Sequence, residues 1–168
     1  MMENVLLITG GNRSDSPMLM AKALQLLCER AGRVKAASNL YRTQAWGFEA
    51  DDFCNQAVEI ETPLSPEALL DVTQAIEREL GRNRTAEAEE KRRTGQRYAS
   101  RPIDVDILYY GELTMAGERL TIPHPAIGSR LFVLEPLAEI APAKRDPATG
   151  ITVVEMLLQL KEKERDER

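Results

Sequence analysis

Asp104 and Asp106 stand two apart inside an otherwise apolar stretch that runs from Ile103 to Tyr110. Strand side chains alternate, so this spacing puts both carboxylates on one face and Val105, Ile107 and Tyr109 on the other. Two like charges side by side repel and resist desolvation. A hard cation removes both difficulties, and magnesium prefers carboxylate oxygens together with substrate phosphates. The competing reading is a strand with a solvated polar face. Leu108 weighs against it by continuing the carboxylate face as an apolar residue. Just upstream, residues 82–101 carry Arg82, Arg84, Lys91, Arg92, Arg93, Arg97 and Arg101, opposed by Glu87, Glu89 and Glu90. A guanidinium fork suits phosphate oxygens; for much of Glu87 to Arg93 a solvated charged loop is the plainer reading. His124, the only histidine, is held between Pro123 and Pro125, and Arg130 follows it. Together they offer two donors to a phosphate chain, although a lone histidine is more often structural. Gly10-Gly11-Asn12 matches neither the P-loop nor the dinucleotide-binding spacing of glycines and reads as a turn.

These residues need elements to position them. Val5 to Thr9 reads as a buried strand. Ser16-Pro17 supplies an N-cap and a first-turn proline for a helix that Gly32 stops. Val34 to Tyr41 is a second strand, Arg42 to Asp52 a loop, and Phe53 to Glu61 an alternating third strand. Ser65-Pro66-Glu67 opens a second helix with Leu69, Val72, Thr73, Ile76 and Leu80 on its inner stripe, ended by Gly81. Residues 82–101 lack apolar periodicity and read as a long mobile loop. The Asp104/Asp106 strand follows, then a short hairpin return through Arg119 to Ile122, a turn or short helix from Ala126, and an amphipathic helix from about Thr152. Its charged tail, residues 161–168, is expected to fray. The order β-α-β-β-α-β predicts one α+β domain over residues 1–168. The fold is ferredoxin-like: an antiparallel sheet with helices on one face, plus a C-terminal hairpin and helix extension. Such an architecture hosts many activities, so it does not give the function.

Composition narrows the classes. A net charge of -5 argues against a general nucleic-acid binder, without excluding an anionic ligand met by a locally basic patch. Cys28 and Cys54 have no CxxC spacing and read as reduced thiols. The start lacks a basic n-region, and Val5 to Ile8 is too short for a signal sequence or a membrane span. A cytoplasmic protein without membrane or nucleic-acid partners is expected, and as a monomer. An RNA-recognition module would carry aromatic residues on its central strands; here the clearest strand carries paired aspartates, which repel RNA phosphate.

Arg101-Pro102-Ile103-Asp104-Val105-Asp106-Ile107-Leu108 resembles the signature of the 6-hydroxymethyl-7,8-dihydropterin pyrophosphokinases. Tyr41-Arg42-Thr43, Phe53-Cys54-Asn55, Ile76-Glu77 with Gly81-Arg82, and Leu120-Thr121-Ile122-Pro123-His124 with Arg130-Leu131-Phe132 support it in order, so the resemblance covers about Val5 to Pro142. It implies transfer of pyrophosphate from ATP to a hydroxymethyl-dihydropterin in folate biosynthesis. It implies that Asp104 and Asp106 hold two magnesium ions, and that Arg82 and Arg101 act on the reacting phosphates from a lid and its hinge. The pterin would stack between Phe53 and Phe132, bond to Asn55, and meet backbone groups near Thr43 and Trp46. Gln74 and Glu77 would line the cleft, His124 and Arg130 would contact phosphates, and Ile107, Leu120 and Thr121 would border the adenine. The chain departs from the family pattern at Gly11, where serine is usual, at Arg97-Tyr98-Ala99-Ser100, where Arg-Trp-Gly-Pro is usual, and in its longer lid. A divergent homologue with low activity, or with another heterocyclic alcohol as substrate, is the alternative reading.

Overall fold

The computed structural model describes residues 1–43, 53–95 and 101–167. In chain order the elements are β1 (Glu3–Gly11), α1 (Ser16–Arg30), β2 (Arg33–Ala37), β3 (Tyr41–Thr43), β4 (Phe53–Thr62), α2 (Pro66–Glu79), α3 (Arg84–Thr94) and β5 (Asp104–Tyr110). They continue with β6 (Met115–Ala116), β7 (Thr121–Ile122), a 3-10 turn (Ile127–Ser129), α4 (Leu131–Ile140) and α5 (Val153–Asp166). The main sheet runs β2-β4-β1-β5 with β3 also on β4, and every pairing is antiparallel. The stretch read as one strand from Val34 to Tyr41 is thus two short strands, both paired to β4.

β1 is apolar at consecutive positions because it is the central strand and both of its faces are covered. Val5 and Leu7 pack under α1 and α2 with Val58, Ile60, Ile76 and Ile107. Leu6 and Ile8 face the other way, into a second cluster with Ala57, Leu108, Leu134, Leu137 and Val153 of α4 and α5. Helices therefore cover one face in the βαββαβ part, and the C-terminal extension covers the other. Truncating a fully buried residue such as Leu7 to alanine costs about 2–5 kcal/mol. A register shift between Leu6 and Leu7 leaves Leu108 as the extra residue of β5. Such a bulge reverses the alternation, so Tyr109 joins Leu108 in the second cluster instead of sharing the face of Val105 and Ile107.

Three local readings change. Ser16 is the first residue of α1 rather than its cap, and its hydroxyl donates to the Pro102 carbonyl (2.7 Å). The stretch 82–101, expected as loop, contains α3: Asn83 caps it by accepting from Ala86 N–H, and Gly95 ends it at φ 70°. The tail expected to fray is helical through Asp166. The Ser65 cap of α2 is present, accepting from Ala68 N–H at 3.2 Å. No helix among the described residues is long and apolar enough to cross a membrane. Both cysteines are free, Cys28 exposed and Cys54 buried.

Candidate active site

The sheet register brings the sequence motifs into one row. Gly10, near the end of β1, pairs with Asn55 of β4 on one side and with Asp104 of β5 on the other. One row further in, Ile8 lies between Ala57 and Asp106. Partners directly opposite in an antiparallel ladder share a face, so Asn55, Asp104 and Asp106 all look toward the side that carries α4. Two inter-strand spacings separate the Asn55 and Asp104 backbones, about 10 Å. Gly10 is required between them, because a Cβ there would collide with the Asn55 amide and crowd the Cys54 carbonyl. The turn reading of Gly10 missed this; a glycine closing an apolar strand was the only sign in the sequence.

At one end of the row sit the aromatic candidates. Asn55 is 8% exposed; its Nδ2 donates weakly to the Thr9 carbonyl (3.4 Å), and its Oδ1 is buried without a partner among the described residues. Thr43 pairs with Phe53 at the edge of the sheet, and both are half-buried. Phe132, the second residue of α4, is 37% exposed, with the Arg130 guanidinium 5.5 Å from its ring centroid. Trp46 lies outside the described residues.

At the other end the charges interlock. Arg82, expected on a mobile lid, is buried: it donates to Glu77 Oε2 (3.0 Å), to Asp104 Oδ1 (2.8 Å) and to both oxygens of Glu87 (3.0 and 3.3 Å). Glu87, expected in a solvated loop, is therefore a buried partner on α3; no apolar period around it announced this. Glu77 also accepts from the Val105 N–H (2.8 Å) and from Arg84 (3.0 Å), tying α2 to the free edge of β5. Arg101 reaches Asp104 at 3.5 Å, while its buried Nε stands 4.0 Å from Glu87 and has no hydrogen-bond partner among the described residues.

Electrostatics follow from this crowding. Burial pushes the Asp106 carboxyl well above the carboxylate range, and the charges of Asp104 and Glu77 add to it against Arg82. Burial also raises Glu77, opposed by the Val105 N–H bond. For Arg82 burial alone works against the charged form, but the Glu87 bond and the surrounding carboxylates raise its pKa on balance. His124 is lowered by burial and then by Arg130, so it is neutral near pH 7. Its Nδ1 accepts from the Ala126 N–H (3.1 Å), which puts the ring proton on Nε2 as a neutral donor.

The remaining candidates divide. Gln74 is engaged by Arg119 (3.3 Å), which also pairs with Asp71. Thr121 is exposed on β7 and Leu120 packs beside the first cluster. The Ile107 side chain is 3% exposed inside that cluster, so it cannot border a ligand, and only its backbone could. Among the described residues no group of three acidic, His or Cys ligands forms a closed metal cage. Asp104 and Asp106 supply two carboxylates only, the pattern of an ion completed by water and phosphate.

The family model of 7,8-dihydro-6-hydroxymethylpterin-pyrophosphokinase (HPPK) matches residues 6–142. The 2-amino-4-hydroxy-6-hydroxymethyldihydropteridine pyrophosphokinase of Porphyromonas gingivalis is 39% identical over 140 residues, 82% of this chain and 90% of that one. Its Bacillus subtilis counterpart is 39% identical over 152 residues, 89% and 85% of the two chains. A Plasmodium falciparum HPPK-DHPS variant crystallised with pterin and p-hydroxybenzoate superposes with a TM-score of 0.77 at 14% identity. That similarity covers 99% of this chain and 45% of that one, so this chain spans less than half the length of the fused protein. The chain belongs to the HPPK family, the ATP-dependent pyrophosphokinases of hydroxymethyl-dihydropterin.

Proposed function

We propose that the row Asn55–Gly10–Asp104, with Asp106 beside it, is where this chain carries out its family's reaction. That reaction is transfer of pyrophosphate from ATP to the hydroxymethyl group of 6-hydroxymethyl-7,8-dihydropterin in folate biosynthesis. One observation carries the assignment: each end of the row holds a buried polar atom with no hydrogen-bond partner among the described residues, and the two are complementary in kind. The Asn55 end has a buried acceptor without a donor, and the Arg101 end a buried donor without an acceptor. A pterin edge offers N–H groups and a phosphate offers oxygens. About 10 Å between the two backbones suits a flat ring at one end with its alcohol arm directed at the carboxylate pair.

In this reading Phe53 and Phe132 cover the pterin faces and Asn55 fixes its edge, with Thr43 and Trp46 bordering it. Asp104 and Asp106 hold magnesium, expected as two ions, which supplies neutralisation of phosphate charge. Arg82 and Arg101 bind the transferred phosphoryl oxygens, and His124 Nε2 and Arg130 add donors along the phosphate chain. Glu77, which the resemblance puts on the nucleotide cleft, is instead buried and bonded, and it fixes Arg82 against β5. Gln74, Leu120, Thr121 and the backbone at Ile107 border the nucleotide. The alcohol attacks the β-phosphorus and AMP leaves; positioning and charge neutralisation suffice, and no side-chain nucleophile is needed. The chain is read as a single domain that acts as a monomer in the cytoplasm.

The test is product analysis. AMP should form from ATP only when hydroxymethyl-dihydropterin and magnesium are both present. Release of ADP, or AMP formation independent of the pterin, would sink the assignment.

A further inference from the structure

The pterin end of the row is built from two elements with little backbone bonding to each other. β3 is three residues long and, among the described residues, pairs only with β4. So short a ladder is marginal by itself, yet its Tyr41 stands directly opposite Asn55. α4, which packs against β3 and β4, carries Phe132 near its N-terminus and Glu139 two turns later. Glu139 reaches back to the chain leading into β3. Its carboxylate accepts from the Tyr41 hydroxyl (2.7 Å), the Asn39 backbone N–H (3.1 Å) and the Asn39 side-chain amide (3.4 Å).

We propose that Glu139 is a positioning residue for pterin binding: it clasps the chain at Asn39–Tyr41 to α4 and so fixes the gap between Asn55 and Phe132. The inference rests on the pterin reading of those two residues. Three donors converge on one carboxylate, and bonds to an ionised acceptor are stronger and shorter than neutral ones. Tyr41 stays a donor at any working pH, since its bond to Glu139 and then its burial push its ionisation up to about 12. The clasp contributes little to holding α4 itself. Val133, Leu134, Pro136 and Leu137 are buried and already hold the helix, whereas Glu139 is exposed. What the clasp restrains is the short strand, and with it the register of the residues flanking Asn55.

The experiment compares ligand affinities in the full chain by calorimetry, with 6-hydroxymethylpterin and a non-hydrolysable ATP analogue as probes, alongside hydrogen exchange. Wild-type binding of the pterin, lost in Asn55→Leu, checks the reading beneath the inference; without that loss the clasp falls together with it. Given that loss, Glu139→Ala should weaken pterin binding about tenfold and Tyr41→Phe about threefold, with Glu139→Gln between them as a partial rescue. Affinity for the ATP analogue should stay within about twofold, because the clasp lies at the Asn55 end of the row, away from the two carboxylates. Amides at 39–43 should exchange faster in Glu139→Ala while those of the α4 core turn do not. Pterin affinity unchanged despite faster exchange would overturn the proposal, since the clasp would then be structural only. Equal weakening of both ligands would overturn it too, as general destabilisation.

Discussion

The two ends of the row at Gly10 are built on opposite principles. The Asn55 end is built mainly of neutral groups: an amide, two aromatic rings, one of them under the Arg130 guanidinium, and one buried acceptor left open among the described residues. The Asp104 end is dense with charge, where Arg82, Arg84 and Arg101 face Glu77, Glu87, Asp104 and Asp106 and nearly every group has a partner. In the proposed reading a ligand completes the first end by pairing with Asn55 Oδ1. At the second it meets one open donor, Arg101 Nε, and otherwise exchanges partners, because phosphate oxygens would compete with Glu87 and Asp104 for the arginines. Affinity at the neutral end is therefore expected to depend on single contacts. The charged end should respond as a network, in which removing one member strands the others.

The largest expected effect tests the network. Asp106→Asn should lower kcat about a thousandfold or more, as loss of transition-state charge stabilisation does. The same change should stabilise the metal-free protein at neutral and higher pH. A carboxyl raised by burial favours the fold while protonated. Its contribution is present below the ordinary value of 3.8 that the unfolded chain has, and is lost as pH rises toward and past its raised value. Asn has no proton to lose. Melting curves should therefore coincide near pH 4 and separate above it, with the variant higher. Curves that coincide throughout would mean that Asp106 is not strained by its neighbours.

Next comes the neutral end. Asn55→Leu should weaken pterin binding about a hundredfold by leaving polar ring groups unpaired. ATP affinity should hardly change. A comparable loss of both ligands in titration calorimetry would erase the distinction between the two ends. Gly10→Ala sharpens it by acting where they meet: the added Cβ pushes on the Asn55 amide, not on an arginine. About a tenfold loss of pterin affinity is expected, with destabilisation of about 1–3 kcal/mol from overpacking. A larger loss for ATP than for pterin would reverse the assignment of the two ends. The smallest effect belongs to Arg92→Ala and Arg93→Ala, exposed on α3 outside the interlocked cluster. Steady-state constants within about twofold of wild type are expected, as for surface changes generally. A tenfold effect would extend the network along α3.

Much of this was legible beforehand, for reasons that differ by element. β1, α1, β4, α2 and β5 declared themselves through apolar period and through caps such as Ser65. The Asp104/Asp106 pair was legible because alternation puts i and i+2 on one face wherever the strand lies. α3 was not, since a helix whose buried contact is the carboxylate of Glu87 leaves no hydrophobic period to read. α4 is legible only as a turn or short helix from Ala126, without its length, because it is apolar on most sides and contains Pro136, a residue that argues against helix until tertiary burial outweighs the lost bond. Tyr109 was placed on the wrong face because a one-residue bulge depends on the partner strand.

The sequence by itself determined the family, the elements with a clear apolar period (β1, α1, β4, α2 and β5) and the face shared by the two aspartates. All of these follow from short-range spacing and from residue identity. Tertiary structure alone decided that Gly10 stands between Asn55 and Asp104, that Arg82 is caged by Glu77 and Glu87, and that Glu139 clasps Tyr41. Each of these depends on strand register or on a contact between elements distant in the chain, and such contacts are set by the packing of the whole rather than by any local pattern.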